Sequence, residues 1–202
     1  MRDYQLRGLR WLAGMHACGV NAILADEMGL GKTLQTIAFL AHLKFNCGIG
    51  GPHLVICPLS VLSSWATEAK KFVPDLRVVK LHSSDPAERA RLAERVLGDV
   101  GSYDVVVSTY EMAKSASLRA ALVQKVHWRL LVLDDIWTEE QLDAFAPLTA
   151  EGGLLGRLVT TRNDELAGEH AHKVEALKQE EALRVLAEAL RLPVLAELLR
   201  PH

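Results

Sequence analysis

Residues 26–33 read Asp-Glu-Met-Gly-Leu-Gly-Lys-Thr. Two glycines one residue apart, then a lysine and a hydroxyl, are the residue types that hold an anion. Gly29 and Gly31 let the backbone curl so that successive N–H groups converge on phosphate oxygens. A helix opening here adds the partial positive charge of its N-terminus. Lys32 has the length to reach the β and γ phosphates, and the Thr33 hydroxyl suits Mg²⁺, a hard cation. The chemistry is that of a P-loop binding a nucleoside triphosphate, with ATP and Mg²⁺ as the expected ligands. Such a loop must lie between a strand and a helix. An apolar run over 22–25 precedes it, and a helical pattern over 34–43 comes after it.

The remaining elements read as alternating helices and short apolar strands. Residues 3–17 suit an amphipathic helix and 21–25 a buried strand. The helix after the P-loop runs to about Lys44, and 45–52 is a glycine-rich loop. Residues 53–57 form a strand that Pro58 ends. A helix over 60–72 comes next, with Ser60 as candidate N-cap. A strand spans 76–81. Asp85 caps the next helix, with Pro86 in its first turn. Residues 104–107 form a strand, then come a polar turn and a helix over 115–124. Residues 130–133 form a strand ending in Asp134-Asp135. Helices are expected at 138–145, 180–190 and 194–199, and strands at 157–161 and 174–176. This alternation predicts an α/β fold: a RecA-like P-loop domain, its mostly parallel sheet covered by helices on both faces.

Composition narrows the class. The chain has 202 residues, half of them hydrophobic, which is enough for one large α/β domain, or for a domain and a fragment. Three cysteines without C-x-x-C spacing argue against a disulfide framework or a zinc site and fit a reducing compartment. His170-x-His172 reads as a solvated loop pair. No apolar run is long enough for a membrane span. Arg2, Arg7 and Arg10 ahead of 11–25 imitate a signal peptide, but His16 and Asn21 interrupt it, so secretion is not expected. Charge is uneven. Residues 1–130 hold 16 Lys and Arg against 11 Asp and Glu; residues 131–202 hold 7 against 14. The basic first part suits a polyanionic partner, and the acidic second part does not.

Five ordered motifs resemble the N-terminal lobe of Swi/Snf-type chromatin-remodelling ATPases, within the helicase-like superfamily two. They are residues 2–12 (RDYQLRGLRWL), the P-loop itself, 57–65 (CPLSVLSSW), 107–111 (VSTYE) and 128–134 (WRLLVLD). The interval from Lys32 to Asp134, about a hundred residues, also fits. The resemblance implies that Gln5 reads the adenine edge, using an amide with both donor and acceptor. It implies that Asp26, Met28 and Leu30 belong to the family's form of the loop, and that Asp134 holds Mg²⁺ together with Thr33. It places 57–65 on the nucleic-acid side, with duplex DNA or chromatin as partner and the nucleus as location; the cytoplasm is the alternative. A second lobe, supplying arginine fingers, would complete the site. Taken on their own, Tyr4, Trp11 and Trp65 read as core aromatics. Ser60, Ser64, Thr109 and Tyr110 read as caps and turn residues, or as contacts that position a phosphate backbone.

After Asp134 the pattern changes. The remodelling family continues Asp-Glu-Gly-His, whereas this chain continues Asp134-Asp135-Ile136-Trp137. Asp135 is one methylene shorter than the expected glutamate, roughly 1.5 Å less reach. Misplacement by about 1 Å can cost on the order of a hundredfold in rate. Residues 130–137 and 156–162 (GRLVTTR) resemble the acidic box and sensor strand of NB-ARC ATPases, switches of the STAND class. Residues 172–177 and 180–183 resemble the stretch beyond that sensor strand in the same proteins. That resemblance implies that Arg162 approaches the γ phosphate. The expected organisation is a helicase-like ATP-binding lobe over 1–134, then an NB-ARC-like completion of the sheet with C-terminal helices over 135–202. The first functional reading is the ATP-binding lobe of a DNA-dependent remodelling ATPase, weak or inactive without a second lobe. The others are a STAND-like nucleotide switch using Lys32, Thr33, Asp134, Asp135 and Arg162, and a non-catalytic nucleotide-binding remnant.

Overall fold

A computed structural model describes residues 1–25, 29–146, 148, 156–163 and 166. The elements in chain order are α1 (Asp3–Ala17), β1 (Ala22–Leu24), α2 (Lys32–Phe45), β2 (His53–Cys57) and α3 (Leu59–Phe72). Next come β3 (Val78–Leu81), α4 (Pro86–Gly98), β4 (Val105–Thr109), α5 (Tyr110–Lys114), α6 (Ala116–Gln124), β5 (Leu130–Ile136), α7 (Glu139–Asp143) and β6 (Arg157–Thr161). Among the described residues, six strands form one sheet in the order β1-β6-β5-β2-β4-β3, every pairing parallel. This is the α/β architecture expected of the sequence.

Strand alternation explains why both faces are covered. Val55 and Cys57 of β2, Val105 and Val107 of β4, and Leu130 and Val132 of β5 face a core built with Leu12, Ile37, Leu40 and Trp65 of α1, α2 and α3. Leu54, Ile56, Val106, Leu131 and Leu133, one residue out of phase, face a second core with Val96, Met112, Leu118 and Leu122 of α4, α5 and α6. Successive side chains on a strand point to opposite faces, so a strand buried on both sides is apolar throughout.

Local capping refines three boundaries. Asp85 accepts from the Ala87 N–H at 2.9 Å and caps α4, as its position before Pro86 requires. Ser60 does not cap α3: the helix begins at Leu59, with Pro58 in the cap position, because the fixed φ of proline admits the helix directly after β2. The polar turn after β4 is instead α5, capped by the Thr109 hydroxyl accepting from Met112 N–H at 3.4 Å. The strand and helices expected at 174–176, 180–190 and 194–199, like the His170/His172 pair, lie outside the described residues. Among the described residues, no helix is long and apolar enough to cross a membrane.

One polar residue at the amino end of the sheet gives the fold a pH dependence. His53 opens β2 and is fully buried. Burial lowers its pKa from 6.5 to about 4; Ile49 and Asp104 oppose the shift, and His16 and Arg129 add to it. The unfolded chain takes up this proton near 6.5 and the folded chain only near 4, so stability falls as pH drops through that window. Urea unfolding at pH 5 should show about 2 kcal/mol less stability from this group than at pH 7. In His53→Gln that share of the slope should vanish; an unchanged slope would refute the assignment.

Candidate functional site

The phosphate-loop residues stand where a parallel sheet places a ligand, beyond the carboxyl ends of the strands. Gly29 and Gly31 both have positive φ, 84° and 78°. Gly31 is the N-cap of α2, in the left-handed region where glycine carries no Cβ penalty. Lys32 and Thr33 are the first two residues of α2 and are partly exposed. The helix N-terminus and its lysine therefore face the same space. Asp26 and Met28 lie outside the described residues.

Gln5 comes to this loop from α1, which packs on α2. Its Oε1 accepts from the Arg2 N–H at 2.8 Å, and its Nε2 donates to the Leu30 carbonyl at 3.1 Å. A Cβ added at Gly31 would collide with the Gln5 amide, so the glycine also admits this contact. The amide is thus held against the loop, with α1 as its support.

Opposite Lys32, the carboxyl end of β5 carries Asp134. It is buried, and each carboxylate oxygen accepts one hydrogen bond: Oδ1 from the Thr160 hydroxyl at 2.6 Å, Oδ2 from Trp65 Nε1 at 2.7 Å. The Tyr110 hydroxyl donates to the Asp134 carbonyl at 2.7 Å. Burial pushes the Asp134 carboxyl above its ordinary value. The Thr160 and Trp65 donors oppose this, nearby Asp135 reinforces it, and the Lys32 charge opposes it. Lys32 and Asp134 therefore feel one another across the site. Tyr110 is also pushed upward, by burial first and then by Asp134, so it remains a neutral donor.

Asp135 departs from strand geometry. Its φ is +64°, and the β5–β6 register shifts between Leu133 and Ile136. Its N–H donates to Thr160 Oγ1 at 2.9 Å. Arg162 holds its carboxylate with a two-pronged contact, Nε to Oδ1 and Nη2 to Oδ2, both 2.9 Å. The Arg162 guanidinium also stacks 4.3 Å from the centre of the half-exposed Trp137 ring. The structure therefore joins Asp134, Asp135 and Arg162 at adjacent strand ends, with Lys32 within electrostatic reach. The Thr160 hydroxyl links the first two: it accepts from Asp135 and donates to Asp134.

The residues around Asp134 were legible only in part. Trp65 is core, as its helical position suggests, but its indole N–H also serves the carboxylate. Tyr110 reads as a turn residue and is a strut on β5. Thr160 lay within the sensor-like segment without a role; its position comes from β6 pairing beside β5, which strand order alone reveals.

A family model described as SNF2-related domain matches residues 4–138. The chain belongs to the SNF2-related domain family. The SNF2 match ends at Thr138, just past the Asp134-Asp135 pair. Over 135 residues the chain is 47% identical to a human protein named SWI/SNF-related matrix-associated actin-dependent regulator of chromatin subfamily A member 1. Over the same length it is 45% identical to an ISWI chromatin-remodeling complex ATPase of Arabidopsis thaliana. Each likeness covers 67% of this chain and 12% of the relative, so the chain spans about an eighth of the length of these relatives. Among solved structures, a Sulfolobus solfataricus SWI2/SNF2 ATPase core in complex with dsDNA superposes with a TM-score of 0.65 at 33% identity. That likeness covers 81% of this chain and 32% of the other. The SNF2-type motifs of residues 2–134 thus sit on an SNF2-type fold.

Proposed function

We propose that this chain is the ATP-binding lobe of a chromatin-remodelling-type, DNA-dependent ATPase, incomplete by itself. The observation that carries the reading is the SNF2 phosphate loop facing a buried acidic residue at the next strand end but one. The donor set fits the expected ligand. Oxygen donors alone, the Thr33 hydroxyl and the Asp134 carboxylate, suit Mg²⁺, and the Lys32 ammonium suits the β and γ phosphates. The metal, when bound, would neutralise phosphate charge. Gln5, already held against the loop, would take the adenine edge. Duplex DNA, a second ATPase lobe and a nuclear location are carried over from the family resemblance and from the DNA-bound structural relative.

Hydrolysis by this lobe alone is expected to be slow. Arginine fingers from a second lobe are worth about 10³–10⁵ in rate. Asp135 stands where the family has a longer glutamate, and each of its carboxylate oxygens already accepts from Arg162. This last pairing is the one observation on which a second, less favoured reading would rest, in which 135–202 is NB-ARC-like and the protein is a nucleotide switch. There Arg162 would exchange Asp135 for the γ phosphate.

Turnover with and without duplex DNA separates the readings. We expect nucleotide binding, low basal hydrolysis, a rise on adding duplex DNA, and no ATP-driven self-association. Hydrolysis indifferent to DNA, together with ATP-dependent oligomers in sedimentation, would transfer support to the switch. Binding without any turnover under either condition would leave a nucleotide-binding module.

A further inference from the structure

A buried indole N–H must find an acceptor, and the nearest backbone carbonyl usually serves. Trp128 does this: its Nε1 donates to the Leu122 carbonyl at 2.8 Å. Trp65 is equally buried, 1% exposed, yet its Nε1 crosses to the Asp134 carboxylate at 2.7 Å. The ring itself packs with Leu62, Ala69 and the α2 side chains of the first core, so the helix fixes where the N–H points. An indole donates only, which leaves no ambiguity about the direction of the bond. On the other oxygen, the Thr160 hydroxyl already accepts from the Asp135 N–H and therefore gives its own proton to Asp134. With one fixed donor on each oxygen, the carboxylate plane cannot rotate freely. Each oxygen keeps acceptor capacity beyond its single hydrogen bond.

We propose that Trp65 is a positioning residue for the metal-holding carboxylate, its indole N–H fixing the plane in which Asp134 presents its remaining lone pairs to a divalent cation. This rests on the reading of Asp134 as a Mg²⁺ ligand. Partners that orient a metal ligand typically change metal affinity by 10–100-fold when removed. Trp65→Phe keeps most of the ring and removes the donor. Nucleotide affinity is titrated against Mg²⁺ at fixed ATP analogue, and again in EDTA. In Trp65→Phe the Mg²⁺ concentration for half-maximal tightening should rise about tenfold, while the affinity in EDTA stays at the wild-type value. A merely structural tryptophan would lower both affinities together or neither, and either result overturns the proposal.

A second measurement avoids dependence on one variant's folding. In ¹⁵N-labelled wild-type protein loaded with nucleotide, the Trp65 indole cross-peak should move on adding Mg²⁺. The Trp128 cross-peak, identified by its loss in Trp128→Phe, should stay. If neither buried indole responds, Trp65 does not act on the metal site. Wild-type protein that binds no nucleotide would overturn both this proposal and the ATP-lobe reading. Wild-type binding that tightens with Mg²⁺, with Trp65→Phe tightening at the same concentration, would overturn the role of Trp65 alone.

Discussion

Lys32→Ala is expected to abolish measurable Mg·ATP binding, a loss of at least ~100-fold, because charge-assisted hydrogen bonds to phosphate are each worth about 1.5–3 kcal/mol. Lys32 begins α2 beside two positive-φ glycines, so in the proposed site the helix N-terminus and the ammonium would act on the same anion. Neither would substitute for the other: in the proposed site the backbone N–H groups would cradle the phosphates, and only the side chain would reach outward to the β and γ positions. Fluorescent-nucleotide titration or calorimetry reads the affinity. Because Lys32 is partly exposed, its replacement should leave the unfolding midpoint nearly unchanged. Affinity equal to wild type in a folded variant would refute the assignment of the phosphate site.

The second large effect is on stability. The Asp104 carboxylate is 1% exposed and accepts from Lys44 Nζ at 2.7 Å and from three nitrogens of Arg77: the backbone N–H at 2.8 Å, Nε at 3.2 Å and Nη2 at 2.8 Å. Burial alone would raise its pKa, but the Arg77 and Lys44 donors outweigh it and hold the carboxyl below the ordinary carboxylate value. Its backbone carbonyl also accepts from the His53 N–H at 2.8 Å. Asp104 therefore ties the end of the P-loop helix to β3, β4 and β2. In Asp104→Ala the two cations are exposed enough to rehydrate, at 21% for Lys44 and 54% for Arg77. The Arg77 backbone N–H and the vacated space are not compensated. We expect a loss of about 2–3 kcal/mol, lowering Tm by roughly 5–10 °C in a chain of this size. Thermal and urea unfolding measure it; a change below about 0.5 kcal/mol, the level of an ordinary surface substitution, would show the cluster to be dispensable.

These two residues differ in how the sequence announces them. Lys32 is legible because the role proposed for it is local: glycine freedom, lysine length and helix start are all properties of adjacent residues. The same holds for the Asp85 cap and the apolar strands. The ordered motifs likewise resemble an SNF2-type lobe, and the family match over 4–138 agrees. Asp104 is invisible in sequence, because its partners Lys44 and Arg77 are brought together only by the pairing of β3 with β4 and the packing of α2.

The sequence alone therefore determined the α/β class, and it carried the proposal of a phosphate loop with an acidic pair opposite it. Periodicity and glycine chemistry operate over a few residues. Tertiary structure decided what surrounds the acidic pair. Inserting β6 between β1 and β5 sets Thr160 against Asp134 and Arg162 against Asp135, across 26 and 27 residues of chain. Docking α3 brings the Trp65 donor to Asp134 across 69 residues. Such contacts depend on strand order and register, quantities that no local pattern encodes.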